Sequence, residues 1–356
     1  MAPPPRLVVS ALAPALSVLL VACGDSGTES EPQPPSLALG SSSVTLTAAV
    51  WDEPVSATVA VSNAGDGTVD GLSVSVAYPS GGAEDWLDAV LDRTTAPATL
   101  LLEARTQPRS GTYAATVTVA SASTGTRQDV AVSLELTPRP LLYLIEHDAD
   151  VLRRMDPSSL SIHDIGPLGV GFDFGDCAWD SDAGTLYMVD GRGQNRLYTV
   201  DLATGAATPV GTHGVRDLFA IEYHGPSQTL YAAGGVAPRY VLYRLDRETG
   251  EATEVGELSR AVHGLAWDAQ RQQMVAVRAS NANALLMTVD LATAALTILD
   301  GTVAVDNHGI GYDPQRDVFW AADWVGTVFR FDPVDGFAVT EVAAGTGSHT
   351  CLAYVP

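Results

Sequence analysis

Two textures of apolar and polar positions divide the chain. From Ser36 to Pro138 short runs alternate apolar with small polar residues (SVTLTAAV, SATVAVSN, GLSVSVAY, ATLLLEAR, TYAATVTVAS and DVAVSLEL), broken by Gly, Asn, Asp and Pro. A period of two means strands with one buried face, and the breakers mark turns between antiparallel neighbours. The pattern predicts about six to eight strands folded as a two-sheet sandwich over 36–138. Trp86, the large aromatic midway along, is expected to plug its core.

Past Pro140 the texture becomes a repeat. Runs of small and apolar residues close on Trp179, Tyr223, Trp267, Tyr312 and Tyr354, which stand 44, 44, 45 and 42 residues apart. A second run passes through Tyr143, Tyr187, Tyr231, Val275 and Trp320, and a third ends at Asp156, Asp201, Asp246, Asp290 and Asp332. A fourth register carries Ile165, Val210, Val255, Leu299 and Val342. Four strand-like runs in each period of about 44 residues are the signature of a propeller blade. Five copies predict a five-bladed β-propeller over 141–356. The region opens on a second-strand run, LLYLIEHD, and the chain ends on a first-strand run, TCLAYV. Joined, they complete one blade from both termini and remove two exposed sheet edges, so the C-terminal strand is expected to close the ring. The fold class is therefore all-β, an Ig-like sandwich followed by a propeller.

Two resemblances sharpen this picture. The succession VSNAGDG, DWL and PATLLLEARTQPRSGTYAATVTVAS within residues 36–137 resembles the BACON family of Ig-like bacterial surface domains. That likeness implies a spacer or a carbohydrate- or mucin-associated module, and it carries over no catalytic residue. Residues 141–356 resemble the NHL-like, WD-like and lactonase-like propellers in blade texture alone, without a regular WD dipeptide.

The N-terminus adds an address. Arg6 followed by LVVSALAPALSVLLVA reads as an export signal over residues 1–22, too short for a stable membrane span. It ends in LVAC, which resembles a bacterial lipobox and implies cleavage before Cys23 and lipidation of its sulfur; the alternative is an ordinary signal with a chance cysteine. Residues 23–35 are polar and aperiodic, as expected of a disordered tether. The expected location is the bacterial cell envelope, lipid-anchored at the outer membrane or cell surface.

Charge then removes several function classes. With 42 acidic and 19 basic residues the net charge is −23, which repels phosphate backbones, so no nucleic-acid partner is expected. Every basic residue is arginine, which excludes lysine Schiff-base and phosphate-loop chemistry.

Candidate chemistry gathers where the inner strands begin. Counting back four from each closing aromatic gives Gly175, Phe219, His263, His308 and Thr350, with His349 adjacent. Three imidazoles together with Asp176 suit a transition-metal site at the channel mouth. Against this, histidines at such junctions often bond a neighbouring carbonyl, and the repeat itself accounts for two copies. Asp176 and Glu222 are carboxylates among small residues on inner strands, to be solvated, paired or cation-bound. Two acids give only weak support to sugar hydrolysis. The loops between second and third strands vary, offering Arg192, Arg239, Asn281, Trp324 and His147 as contacts. The recurring aspartates after the first and third strands begin tight turns and are read as structural. Cys177 and Cys351 fall on neighbouring inner strands of an exported protein, either as a disulfide or as two buried thiols.

The expected function is an exported, lipid-anchored binding or scaffold protein that presents its propeller to a protein, glycan or small-molecule ligand, with no cofactor. The alternative is a hydrolase or metal-dependent enzyme with its site, and a divalent metal ion, at the channel mouth. A purely structural envelope component is the third reading.

Overall fold

A computed structural model describes residues 31–278, 284–303 and 307–356 of the chain. Cys23 and Asn281 lie outside the described residues. Eight strands come first: β1 (Leu37–Leu39), β2 (Ser43–Ala49), β3 (Val55–Asn63), β4 (Leu72–Ala77), β5 (Leu87–Leu91), β6 (Ala98–Ala104), β7 (Gly111–Ser121) and β8 (Arg127–Thr137). They form two four-stranded sheets, ordered β1-β3-β6-β5 and β2-β8-β7-β4, antiparallel except for the parallel pair β2–β8. The alternation seen in the sequence becomes burial: along β6, Ala98, Leu100, Leu102 and Ala104 face the shared core while Thr99, Leu101 and Glu103 face water. Trp86 is fully buried between Tyr78 and Tyr113, with ring centroids 6.1 and 6.3 Å away. Gln33 is tied to the sandwich: its N–H donates to Asp66 Oδ2 and its carbonyl accepts from Asp66 N–H, both at 2.9 Å.

Twenty strands follow. They are β9 (Leu141–Glu146), β10 (Val151–Met155), β11 (Ile162–Pro167), β12 (Gly175–Asp180), β13 (Thr185–Asp190), β14 (Arg196–Val200), β15 (Ala207–Thr212), β16 (Leu218–His224), β17 (Thr229–Gly234) and β18 (Tyr240–Leu245). The rest are β19 (Ala252–Leu258), β20 (Gly264–Asp268), β21 (Gln273–Arg278), β22 (Ala284–Val289), β23 (Leu296–Val303), β24 (Asn307–Asp313), β25 (Val318–Asp323), β26 (Val328–Asp332), β27 (Ala338–Ala343) and β28 (His349–Val355). Among the described residues these make five four-stranded antiparallel sheets, four of them consecutive in sequence and the fifth ordered β11-β10-β9-β28. The innermost strands β12, β16, β20, β24 and β28 pack in succession, and β28 touches β12 again. The sheets thus form a β-propeller, with the last strand of the chain paired to the first of the ring.

Position within a sheet explains its composition. The second strands lie between neighbouring sheets and are apolar without alternation, so all of LLYLIE in β9 and VFWAAD in β25 is buried. Apolar layers between successive sheets supply the core, one of them uniting Tyr143, Ile145, Leu152, Cys177, Met188, Tyr198 and Cys351. Outer strands are half-exposed, and each carries a register shift against the third strand, a bulge that twists the free edge away from pairing. Gly211 shows a finer constraint: a Cβ there would collide with the Thr249 carbonyl oxygen on the next sheet's turn, and Gly166 stands in the same relation to Thr204. The aspartates after the third strands accept turn N–H groups, as Asp201 does from Ala203 and Thr204 and Asp246 from Glu248 and Thr249. Asp180, Asp268 and Asp313 do the same after the inner strands, and each also pairs with an arginine: Arg247, Arg271 and Arg316.

The sandwich meets the ring at the sheet that closes it. Trp51 packs against the cores of both, donates Nε1–H to Tyr143 Oη at 3.1 Å, and lies under the Arg154 guanidinium, 4.7 Å from its ring centroid. Arg139 bridges Asp52 and Asp156 at 2.8 Å each.

Candidate functional site

The ring has two levels at the end where the inner strands begin. Deeper in the throat, the inner edge of each first strand has no strand to pair with, so its N–H groups need other acceptors. Asp176, fully buried on β12, accepts from Cys177 N at 2.9 Å and from Ile221 N of β16 at 3.2 Å. Glu222, half-buried on β16, accepts from Trp267 N of β20 at 3.2 Å. Each carboxyl thus ties its strand to the next one around the ring. Burial pushes the Asp176 carboxyl well above the usual carboxylate range, with the Glu222 charge adding to it. Burial likewise pushes Glu222 up to about 8. Small residues crowd this level because non-neighbouring inner strands come within 8 Å between Cα atoms.

Beside Asp176, Cys177 and Cys351 form a disulfide with Cα atoms 5.3 Å apart, joining β12 to the closing strand β28. The two sulfurs and an Asp176 oxygen lie within 4.8 Å of one another, yet disulfide sulfurs are not thiolate ligands.

Above the throat, the loops bring aromatic rings together in a collar. Trp324 follows β25 and Phe174 precedes β12; their rings stack 4.5 Å apart at 9°. His147, after β9, lies 4.9 Å from Trp324 and 5.6 Å from Phe174. Phe219 at the start of β16 meets Phe174 edge-on at 6.4 Å and His263, before β20, at 5.3 Å. The rings come from the starts or loops of all five sheets, Trp324 being the contribution of the sheet built on β24, whose His308 is placed in its strand without a described side chain.

One cation sits on this collar. The Arg192 guanidinium carbon is 4.2 Å from the Phe174 ring centroid and 5.0 Å from that of Phe219, and its Nε donates to Asp217 Oδ1 at 2.9 Å. The loop bearing it is held from beneath by buried Asp190, which accepts from Gly193 N at 2.9 Å and from Gln194 N. The backbone of the same loop pairs with the strand-entry loop, Gly191 N to Phe174 O at 2.8 Å and Arg192 N to Asp173 O at 3.0 Å.

No family model matches the chain, and no curated protein matches its sequence. Among solved structures the chain is similar to a protein of unknown function from Bacteroides thetaiotaomicron (15% identity, TM-score 0.43, covering 90% of this chain and 93% of that one). It is similar also to TolB from Acinetobacter baumannii (16%, TM-score 0.38, 68% and 63%). A third is a quinoprotein alcohol dehydrogenase-like protein from B. thetaiotaomicron (9%, TM-score 0.37, 85% and 83%).

The residues singled out in the sequence thus separate into levels. Arg192, Trp324, His147 and His263 share the collar, whereas Asp176 and Glu222 lie on the inner strands. His349 is fully buried, with Nδ1 3.3 Å from Ile145 O and Nε2 3.0 Å from Thr346 Oγ1; burial lowers its pKa, and it pins the start of β28 to β9. Arg239 turns onto its own outer strand β19, paired with Glu254 and Glu257 at 2.7 and 2.9 Å. Sequence reading missed Phe174 and, buried beneath it with its ring 6.1 Å from His147, Phe172. The signal was GFDFG, two aromatics around an acid just before an inner strand in a chain with only 7% aromatic residues. It missed His213 too, a buried imidazole that accepts Val215 N–H at Nδ1 and therefore donates Nε2–H to Asp190 O at 3.2 Å.

Proposed function

We propose that this chain is an exported, lipid-anchored binding protein of the bacterial cell envelope. In this reading Cys23 carries the lipid, residues 23–35 form a tether, and a BACON-like Ig domain over 36–138 presents a five-bladed propeller over 141–356 whose collar recognises the ligand. The supporting observation is the collar itself: Trp324, Phe174, Phe219, His147 and His263, drawn from separate sheets, converge around one arginine at the mouth. Clustered Trp and Arg with aromatic neighbours are the residue types that dominate binding energy at recognition surfaces.

The enzymatic alternative draws less support. Asp176 spends its oxygens on backbone N–H groups, Glu222 accepts from Trp267 N–H, His349 is held by a carbonyl and a hydroxyl, and His263 packs on Phe219 in the collar above them. That leaves no convergent acid, base and nucleophile among the described residues.

The test is a ligand screen of glycans, peptides and small metabolites over the immobilised full chain, repeated with Trp324→Ala and Phe219→Ala. Binding that falls at least about ten-fold in both variants, each still folded at the assay temperature, is expected. Ligands held equally by the variants would move recognition away from the mouth. Incorporation of labelled fatty acid by wild type and its loss in Cys23→Ser tests the anchor.

A further inference from the structure

We propose that Arg192 is the anchor of a carboxylate subsite, and that the collar takes small ring-bearing carboxylic acids, either aromatic acids or uronic-type sugar acids. This rests on the reading of the mouth as the recognition surface and adds to it the class of ligand.

The argument begins with how the guanidinium is held. Its Nε is committed to Asp217 at 2.9 Å and its carbon lies over two rings nearly perpendicular to each other, Phe174 and Phe219. With the rings against its carbon and Nε committed, the hydrogen bonding left to the fork is that of Nη1 and Nη2. Nη1 and Nη2 have no hydrogen-bond partner among the described residues, and 43% of the side chain is open to solvent. The paired N–H donors along that edge match the two oxygens of a carboxylate, and adjacent apolar rings strengthen the pairing by keeping water from it.

Charge narrows the ligand further. The chain carries a net charge of −23, and Asp148 and Asp173 are exposed in the loops at this mouth. A polyanion would be repelled over its whole length, whereas a monoacid meets one fork and little else. Beside the fork lies the Phe174–Trp324 stack, where a flat ring attached to the acid finds aromatic neighbours. The backbone of the loop is held independently of the side chain: Arg192 N–H reaches the neighbouring loop, and Asp190 fixes the turn. Side-chain replacement therefore leaves these bonds in place.

The experiment titrates the full chain and Arg192→Gln, Arg192→Lys and Trp324→Ala with two matched pairs, benzoate against benzyl alcohol and galacturonate against galactose. The expected result is that at least one acid binds about 10- to 100-fold tighter than its neutral counterpart. Arg192→Gln should abolish that preference, Arg192→Lys should restore only part of it, and all variants should remain folded at the assay temperature. The pair that shows the preference identifies the source of the carboxylate. Equal binding of acid and neutral partner, a preference that survives in Arg192→Gln, or no saturable binding by either acid overturns the proposal. If neutral ligands bind in a Trp324-dependent way without acid preference, the mouth stands as the recognition surface and only the carboxylate subsite falls.

Discussion

Replacing Glu222 by Gln should stabilise the protein at neutral and alkaline pH and do nothing at acid pH. Glutamine keeps an oxygen where Trp267 N–H now donates at 3.2 Å and removes the charge that burial opposes. Burial raises the Glu222 pKa from 4.5 to about 8, so the folded state holds this proton more tightly than the unfolded chain does. Stability from this group is therefore complete below about pH 4.5 and is lost as pH rises through about 8. At about 1.4 kcal/mol per unit the full shift amounts to about 5 kcal/mol. Glu222 is only half-buried, and water reaching it screens its charge, so we expect about 2–3 kcal/mol at pH 9. The nearby Asp176 carboxyl shifts in the same direction, partly through the Glu222 charge, and its own ionisation becomes easier in the variant.

Urea unfolding of wild type and Glu222→Gln at pH 5, 7 and 9 measures the gap directly, and the difference cancels every carboxylate the two proteins share apart from the coupled Asp176. The variant should match wild type near pH 5 and gain on it at each step. A gap that stays constant across the three values, or a variant uniformly less stable than wild type, would refute the view that the throat holds an opposed charge.

Two other perturbations probe the frame. Cys177→Ser with Cys351→Ser opens a loop with a sequence separation of 174 residues, for which chain entropy gives a loss of up to about 5 kcal/mol; an unchanged urea midpoint, or two free thiols in denatured unreduced protein, would count against the bond. Trp51→Ala removes the hydrogen bond to Tyr143 and the stack with Arg154, about 1–3 kcal/mol together, and should split one calorimetric transition into two, whereas a single transition at the wild-type temperature would show that the junction contributes little.

The repeat was legible because every sheet solves the same packing problem. Tyr143, Tyr187 and Tyr231 recur where a strand buried on both faces needs bulk, and Asp201 and Asp246 recur where a turn needs a side-chain acceptor. Trp86 was legible for a similar reason, as the large aromatic midway along an alternating stretch. The collar was only half legible, because no period governs it. Trp324, His147 and Arg192 stand out as loop residues, but Phe174 joins them through a left-handed turn (φ 47°) set by contacts between loops far apart in sequence. The histidines illustrate the converse. His263 and His349 occupy related positions, yet one meets a ring and the other a carbonyl, because the neighbour differs from sheet to sheet.

The junction bears on how the mouth is presented. β9 starts at Leu141 beside the sandwich and ends at Glu146 beside the collar, six residues or about 20 Å along the strand. β3 starts at Val55, near Trp51, and ends at Asn63 opposite Leu37 of β1, nine residues or about 30 Å along. Entry to the sandwich and the mouth of the ring therefore lie at the far ends of strands that both start from the junction. A Trp shared by two cores, flanked by an arginine bridging Asp52 and Asp156, resists bending far more than a linker would. With a lipid on Cys23, as proposed, the sandwich would act as a rigid strut between the anchor and the mouth of the ring.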